Sequence, residues 1–333
     1  MEFGYSLAAE DWPPGDLVRL AREAEEAGFD FALVSDHFHP WLDVQGQSPF
    51  VWTVLGAIAE ATERMHVGTG VTCPTIRTHP AIIAHAAATT AAMMPGRFLL
   101  GLGSGENLNE HVLGDAWPAP DVRLSMLEEA IEIMQVLWSG GEQTFRGRHY
   151  TVDHARLYTL PEEPPPIILA AGQPAAAELA GRCADGLANT SPDASVIESF
   201  VEAGGRGKPT YGMIHACVAP TAEEGVATAR KLWPNIALQG ELSRELARPT
   251  HFEDAVKPLR EEDLAEIVPS GPDSEPHVEA VRAFVDAGYD HVWIHQIGPD
   301  QDAFFRLYRD EVIPAFASDR QPQRAVAESR SAF

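Results

Sequence analysis

Residues 65–103, MHVGTGVTCPTIRTHPAIIAHAAATTAAMMPGRFLLGLG, decide the fold. A short apolar run (65–71) gives way to a loop bearing Gly and Pro, then to an Ala-rich segment that reads as a helix up to Pro95, then to a second apolar run at 97–103. Strand, helix and strand in succession make a βα repeat, whose two strands lie parallel in one sheet. The period continues upstream. EFGYSL (2–7) precedes a helix at 15–28 with Leu17, Leu20, Ala21, Ala24 and Ala27 on one face and Gly28 as its stop. FDFALVS (29–35) is a second strand, followed by a helix entered through Ser48 and Pro49.

Downstream, an amphipathic helix over 121–141 places Leu124, Leu127, Ile131, Met134 and Leu137 or Trp138 on its apolar side. A hairpin-like excursion follows at 142–159, then strands at 164–172, 185–191 and 210–220 with helices between them. Residues 235–273 are the least regular, and 275–316 close the chain with helix, strand and helix. Eight apolar strands, each followed by a helix, indicate an α/β fold of the (β/α)8 TIM-barrel type. The expected organisation is a single domain over 1–317 with insertions at about 141–160 and 235–273, and a polar tail at 318–333.

Composition narrows the partners. With 24 Lys and Arg against 49 Asp and Glu, the net charge of -25 repels nucleic acid and anionic membrane surfaces. Three widely spaced cysteines make neither a disulfide framework nor a zinc knuckle and suit a reducing compartment. No long apolar span or secretory n-region is present, so a cytoplasmic location and a small-molecule substrate are expected.

In a barrel of this kind, chemistry is done just after the strand ends. VSDHFHPW (34–41) puts Asp36, His37, His39 and Trp41 there: a histidine to move a proton, a carboxylate to hold its ring, and an aromatic wall. GLGSGENLNE (101–110) places Glu106 where a dinucleotide loop needs its third glycine, so Glu106 reads as an acid at the mouth and Glu110 as a solvated helix start. GTGVTCPTIRTHP (68–80) contributes Gly70, Thr72 and Thr75 on a Pro-stiffened loop. ILAAGQPAAAELAG (168–181) ends a strand in small residues and starts a helix at Pro174, a cradle for a phosphate.

Together with LWSGG (137–141), these five motifs in this order resemble the luciferase-like flavin and deazaflavin oxidoreductases, and within them the coenzyme F420-dependent glucose-6-phosphate dehydrogenases. The resemblance implies a barrel with the deazaflavin in its mouth and a homodimer formed through barrel helices. It assigns Asp36 to the cofactor ring, Gly70-Val71 to a supporting bulge that is often a cis peptide, and Thr72, Asn109, Ala171, Gly172 and Gln173 to the ring edge or phosphate tail. His37 becomes the base that takes a hydroxyl proton while the carbon gives hydride, Glu106 an acid near the ring, and Trp41, Glu10 and Thr190 the substrate side. One departure stands out: Pro192 and Asp193 follow Thr190-Ser191 where the sugar-phosphate enzymes carry a lysine, which argues against a phosphorylated substrate. Two other chemistries suit the same barrel. One is an FMN-dependent monooxygenase with a flavin reductase partner; the other is a metal-dependent hydrolase at Asp36, His37 and His39 with His295 or Glu106, although no metal-ligand set of known spacing is present.

Overall fold

The computed structural model describes residues 1–238 and 240–317. Among the described residues ten strands are formed: β1 (Glu2–Leu7), β2 (Phe31–Val34), β3 (His66–Thr69), β4 (Phe98–Leu102), β5 (Gln143–Arg146), β6 (Thr151–Ala155), β7 (Ile167–Ala170), β8 (Gly186–Asn189), β9 (Thr210–Ala216) and β10 (His291–Gln296). Eight close into a parallel barrel in the order β1-β10-β9-β8-β7-β4-β3-β2, and β5 and β6 pair as a separate antiparallel hairpin. The sheet is therefore the closed eight-stranded α/β barrel read from the repeats. Residues 318–333, expected as a polar tail, lie outside the described residues.

Helices cover the barrel from outside: α1 (Pro14–Glu26), α2 (Val51–Ala61), α3 (Pro80–Met93), the short α4 (Asn107–Glu110), α5 (Pro120–Trp138), α6 (Pro174–Cys183), α7 (Ala194–Phe200) and α8 (Ala222–Leu232). In α1 the expected stripe is buried, and Gly28 ends the turn at φ +88°, which costs glycine no Cβ clash. Three short helices, α9 (Leu242–Glu245), α10 (Pro249–Ala255) and α11 (Glu261–Ala265), occupy the irregular stretch. They are anchored at the mouth side by Phe252, Val256 and Leu264 against Leu42, Leu108 and Trp233, so apolar contact replaces regular pattern there. The last α-helices among the described residues are α12 (Ser274–Asp286) and α13 (Gln301–Leu307), and helical turns continue from α13 to Phe316.

Alternate strand residues fill the barrel: Phe31, Leu33, Leu99, Ile168, Ala188, Tyr211 and Trp293 pack as one cluster with Met213. Between β3 and β4 the backbones are so close that a Cβ at Gly101 would stand 1.9 Å from the Thr69 carbonyl oxygen. At the opposite end from the mouth, His291 lies 2.7 Å from Asp290 Oδ1 and 3.2 Å from Glu2 Oε2. Burial opposes its charge, but the two carboxylates outweigh burial and push its pKa up to about 9, giving the seam between β1 and β10 an ionic clasp.

Candidate active site

Loops leaving the strands are cross-tied at the mouth. After β1, the Ala9 N–H donates to Ser35 Oγ (2.8 Å), and Ser35 Oγ donates to Glu10 Oε2 (2.6 Å). Glu10, 2% exposed, holds its other oxygen 3.2 Å from His37 Nδ1. The His39 carbonyl oxygen lies 3.3 Å from the same nitrogen. Both neighbours of Nδ1 are acceptors, so Nδ1 carries the proton of the neutral ring and Nε2 keeps its lone pair. Ser48, expected to open α2, instead donates its hydroxyl to the His37 carbonyl (2.7 Å); the helix begins at Val51. Trp41 meets the His37 ring edge-on at 4.9 Å.

Asp36 has a different task from the one its place beside His37 suggests. Its Oδ2 accepts from Thr72 Oγ1 (2.7 Å), and Oδ1 faces Arg77 Nη2 at 2.9 Å. Arg77 Nε lies 3.4 Å from Glu110 Oε1, while Glu110 Oε2 accepts from the backbone N–H groups of Ile76 (3.2 Å) and Arg77 (2.8 Å). Burial weakens the hold of Arg77 on its proton, but Asp36 and Glu110 more than restore it. Burial raises the Glu110 pKa against the pull of the Arg77 amide and guanidinium. Glu110 is fully buried, not a solvated helix start, because the 72–77 loop folds over α4 and Arg77 needs a second carboxylate.

Asn109, 2% exposed, accepts on Oδ1 from the N–H groups of Phe38 (2.9 Å) and His39 (3.1 Å), which fixes the direction of its amide. Its Nδ2 is buried and has no hydrogen-bond partner among the described residues. Such a donor costs about 1–3 kcal/mol until an acceptor arrives, so it marks a ligand position. The Gly70-Val71 peptide is cis, as the family resemblance implies. Glu106 is half-buried, and its side chain makes no hydrogen bond or ion pair among the described residues.

On the far side, Ala171 N–H continues the ladder to the Ala188 carbonyl (2.8 Å). A Cβ at Gly172 would meet only Arg244 Nη2 at 3.4 Å and Asn189 Oδ1 at 3.5 Å. Exposed Gln173 opens α6, and the helix start with the nearby Arg244 guanidinium suits an anionic tail. Thr190 is exposed, its N–H bound by Asn189 Oδ1 at 2.8 Å. Orphaned Asn109 Nδ2, an uncluttered Gly172 and this cationic helix start fit a flat cofactor with a phosphate tail. Arg77 and Arg244 were not singled out by sequence: Arg77 lies within the 68–80 motif, but its partners Asp36 and Glu110 are more than thirty residues away, and Arg244 falls in the irregular stretch. No group of three His, Cys, Asp or Glu among the described residues converges as a metal site. His39 turns away from His37, with Nδ1 3.1 Å from the Leu108 carbonyl oxygen.

Comparison with known proteins places this geometry. A family model described as luciferase-like monooxygenase matches residues 1–291. An F420-dependent glucose-6-phosphate dehydrogenase of Nakamurella multipartita is 37% identical over 325 residues, covering 94% of this chain and 96% of the relative. One from Nocardia farcinica is 36% identical, covering 94% and 97%. Among solved structures, an F420-dependent secondary alcohol dehydrogenase in complex with an F420-acetone adduct superposes with a TM-score of 0.89 at 30% identity, over 94% of this chain and 98% of that one. The coenzyme F420-dependent tetrahydromethanopterin reductase of Methanopyrus kandleri, at 20% identity and a TM-score of 0.78, shares the fold over 95% and 99%. The chain belongs to the luciferase-like family and groups within it with the coenzyme F420-dependent dehydrogenases.

Proposed function

We propose that this protein is a coenzyme F420-dependent dehydrogenase of uncharged alcohols, in which His37 is the acid and base. The observation that carries the reading is the His37 ring itself: Nδ1 is turned onto Glu10, which leaves Nε2 as the proton acceptor. When bound, the deazaflavin supplies hydride acceptance and return. Asp36, Thr72, Asn109, the Gly70-Val71 peptide, Ala171, Gly172 and Gln173 would hold it. His37 Nε2 takes the hydroxyl proton of the substrate, and the Glu10 carboxylate stabilises the resulting imidazolium; in reduction the protonated ring returns that proton. Trp41 walls the substrate side and excludes water, while Glu106 stands free as a second proton donor and Thr190 borders the entrance.

Charge supports an uncharged substrate. Lys257 is bound to Asp254 and Arg260 lies against Asp263 and Glu262, each cation more than two-thirds exposed, so neither is aimed at the mouth as a phosphate clamp. Asp193 serves as the N-cap of α7, accepting from Ser195 N–H at 2.9 Å. We also infer a cytoplasmic homodimer, supported by three free cysteines and by exposed Phe50, Ile82 and Met93 beside α2 and α3; size exclusion tests the second point.

The test is fluorescence titration with oxidised F420, followed by turnover with 2-propanol and with glucose 6-phosphate, and FMN with oxygen uptake in parallel. Tight F420 binding and its reduction by 2-propanol are expected. Absent F420 binding, or oxygen consumption with FMN in its place, overturns the reading.

A further inference from the structure

Glu10 is followed by a second carboxylate, Asp11, and it too faces an imidazole. His215 and His295 are register partners on β9 and β10. His215 lies two and four residues beyond Met213 and Tyr211, and His295 two beyond Trp293; all three earlier residues pack in the barrel interior. The alternation therefore sets both rings on the inner face, in the last layer before the mouth. Their Nδ1 atoms are 2.9 Å apart, and His295 Nε2 lies 3.4 Å from Asp11 Oδ2, with no hydrogen-bond partner of its own. Trp233 donates its indole N–H to the same Asp11 oxygen at 2.8 Å and packs against both rings, at 4.4 Å from His295 and 5.9 Å from His215.

This arrangement has a direction. Asp11 Oδ2, an acceptor, is the carboxylate oxygen nearest His295 Nε2, and the tautomer with the His295 proton on Nε2 leaves Nδ1 as the acceptor in the contact with His215. His215 then donates from Nδ1, and its Nε2 presents a bare lone pair. His295 is 1% exposed whereas His215 is half-buried, so only the second ring reaches the open mouth. Burial first, and the His295 ring next, hold His215 uncharged, with its pKa pushed down to about 3. Such a group cannot attract a phosphate, because both would offer lone pairs. It accepts from an O–H. The pair is also joined to the His37 wall: Trp41, which touches His37, packs into the cluster built around Trp233.

We propose that His215, oriented through His295 by Asp11, binds a second hydroxyl of the substrate, so that the site selects uncharged vicinal diols and polyols over mono-alcohols and over phosphorylated sugars. The inference rests on the dehydrogenase reading above and adds its substrate class. A mono-alcohol gives its one O–H to His37 and leaves His215 without a donor; a diol satisfies both. His215 is a specificity residue that touches substrate, and His295 is a positioning residue.

The experiment compares propane-1,2-diol, 2-propanol and glucose 6-phosphate as reductants of F420, with wild type, H215F and D11N. The wild type is expected to favour the diol over 2-propanol by about tenfold in kcat/KM, the worth of one buried hydrogen bond left unmade. H215F should bring that ratio near one by lowering turnover of the diol more than that of 2-propanol, and D11N should lower the ratio partway. Nitrogen-15 NMR of the histidine rings gives a reading independent of turnover and of whether H215F folds: His215 unprotonated on Nε2 and His295 unprotonated on Nδ1 at neutral pH. A diol preference unchanged in H215F, a wild-type preference for glucose 6-phosphate, or an Nε2-protonated His215 overturns the proposal. F420 turnover with a ratio blind to His215 sinks only this inference; failure of F420 to bind sinks the dehydrogenase reading with it.

Discussion

The loops after β2, β3 and β4 and the pair β9–β10, with α12 packed on β9, bury polar groups by opposite means. In the first region the buried groups are charged and compensated: Arg77 lies between Asp36 and Glu110, with Thr72 completing the set. In the second they are uncharged imidazoles, His215 at the mouth and His277 on α12, the latter 3.1 Å from the Tyr308 hydroxyl. Compensated charge fixes loops rigidly but tolerates no lost partner, whereas neutral imidazole offers a directional hydrogen bond without attracting ions. The rigid region carries the residues assigned to cofactor and proton transfer; in the neutral one only His215 stands at the mouth, where it is proposed to meet substrate.

The difference can be broken most severely at Arg77. Arg77→Met leaves Asp36 and Glu110 buried without a cation and should cost about 3–5 kcal/mol of unfolding free energy, read by urea titration. In the other region the sensitive variable is pH. Burial lowers the His277 pKa to about 4, below the 6.5 of the unfolded chain, so the unfolded state binds the extra proton first. Stability from His277 is present above pH 6.5 and drains as pH falls, by about 3 kcal/mol at pH 4; His277→Phe should flatten that part of the stability profile.

Smaller changes sharpen the comparison. His37→Ala should cut kcat by about a hundredfold while the F420 dissociation constant stays put, and equal activity in the variant would remove His37 from proton transfer. Glu10→Gln keeps the shape but not the charge behind that ring, and about a tenfold loss in kcat with a displaced pH profile is expected. Gly172→Leu crowds Arg244 and Asn189 and should raise the F420 dissociation constant about threefold, an effect absent if the tail binds elsewhere.

How far the residues alone could lead differs between the two regions for a physical reason. The barrel was legible because strand and helix periods are local: the face of α1 and the run EFGYSL need no tertiary information. Motifs brought Asp36, His37, Thr72 and Asn109 to one mouth for the same reason, each lying just past a strand. Partner choice was not legible. Glu10 rather than Asp36 takes His37, across 27 residues, and Glu110 turns inward because a loop thirty-odd residues away folds onto it. Ser48 looked like a helix cap, but the His37 carbonyl competed for its hydroxyl. His215 carried a usable signal in its two-residue spacing from Met213 and Tyr211, which places it inside the barrel once the strand is granted.

The seam where Glu2–Leu7 lies against His291–Gln296 sets a clock on biosynthesis. Because β1 is made well before β10, it emerges from the ribosome with one edge open and waits until residues 291–296 exist before its neighbour can form. β9 waits with it, since β10 is the strand between them. Through that interval two rows of backbone donors and acceptors stand available to any passing strand, so a nascent chain stalled before residue 291 is the form most exposed to aggregation. Chaperone dependence should therefore persist until residues 291–296 are made, ending when the Glu2–His291 clasp can close.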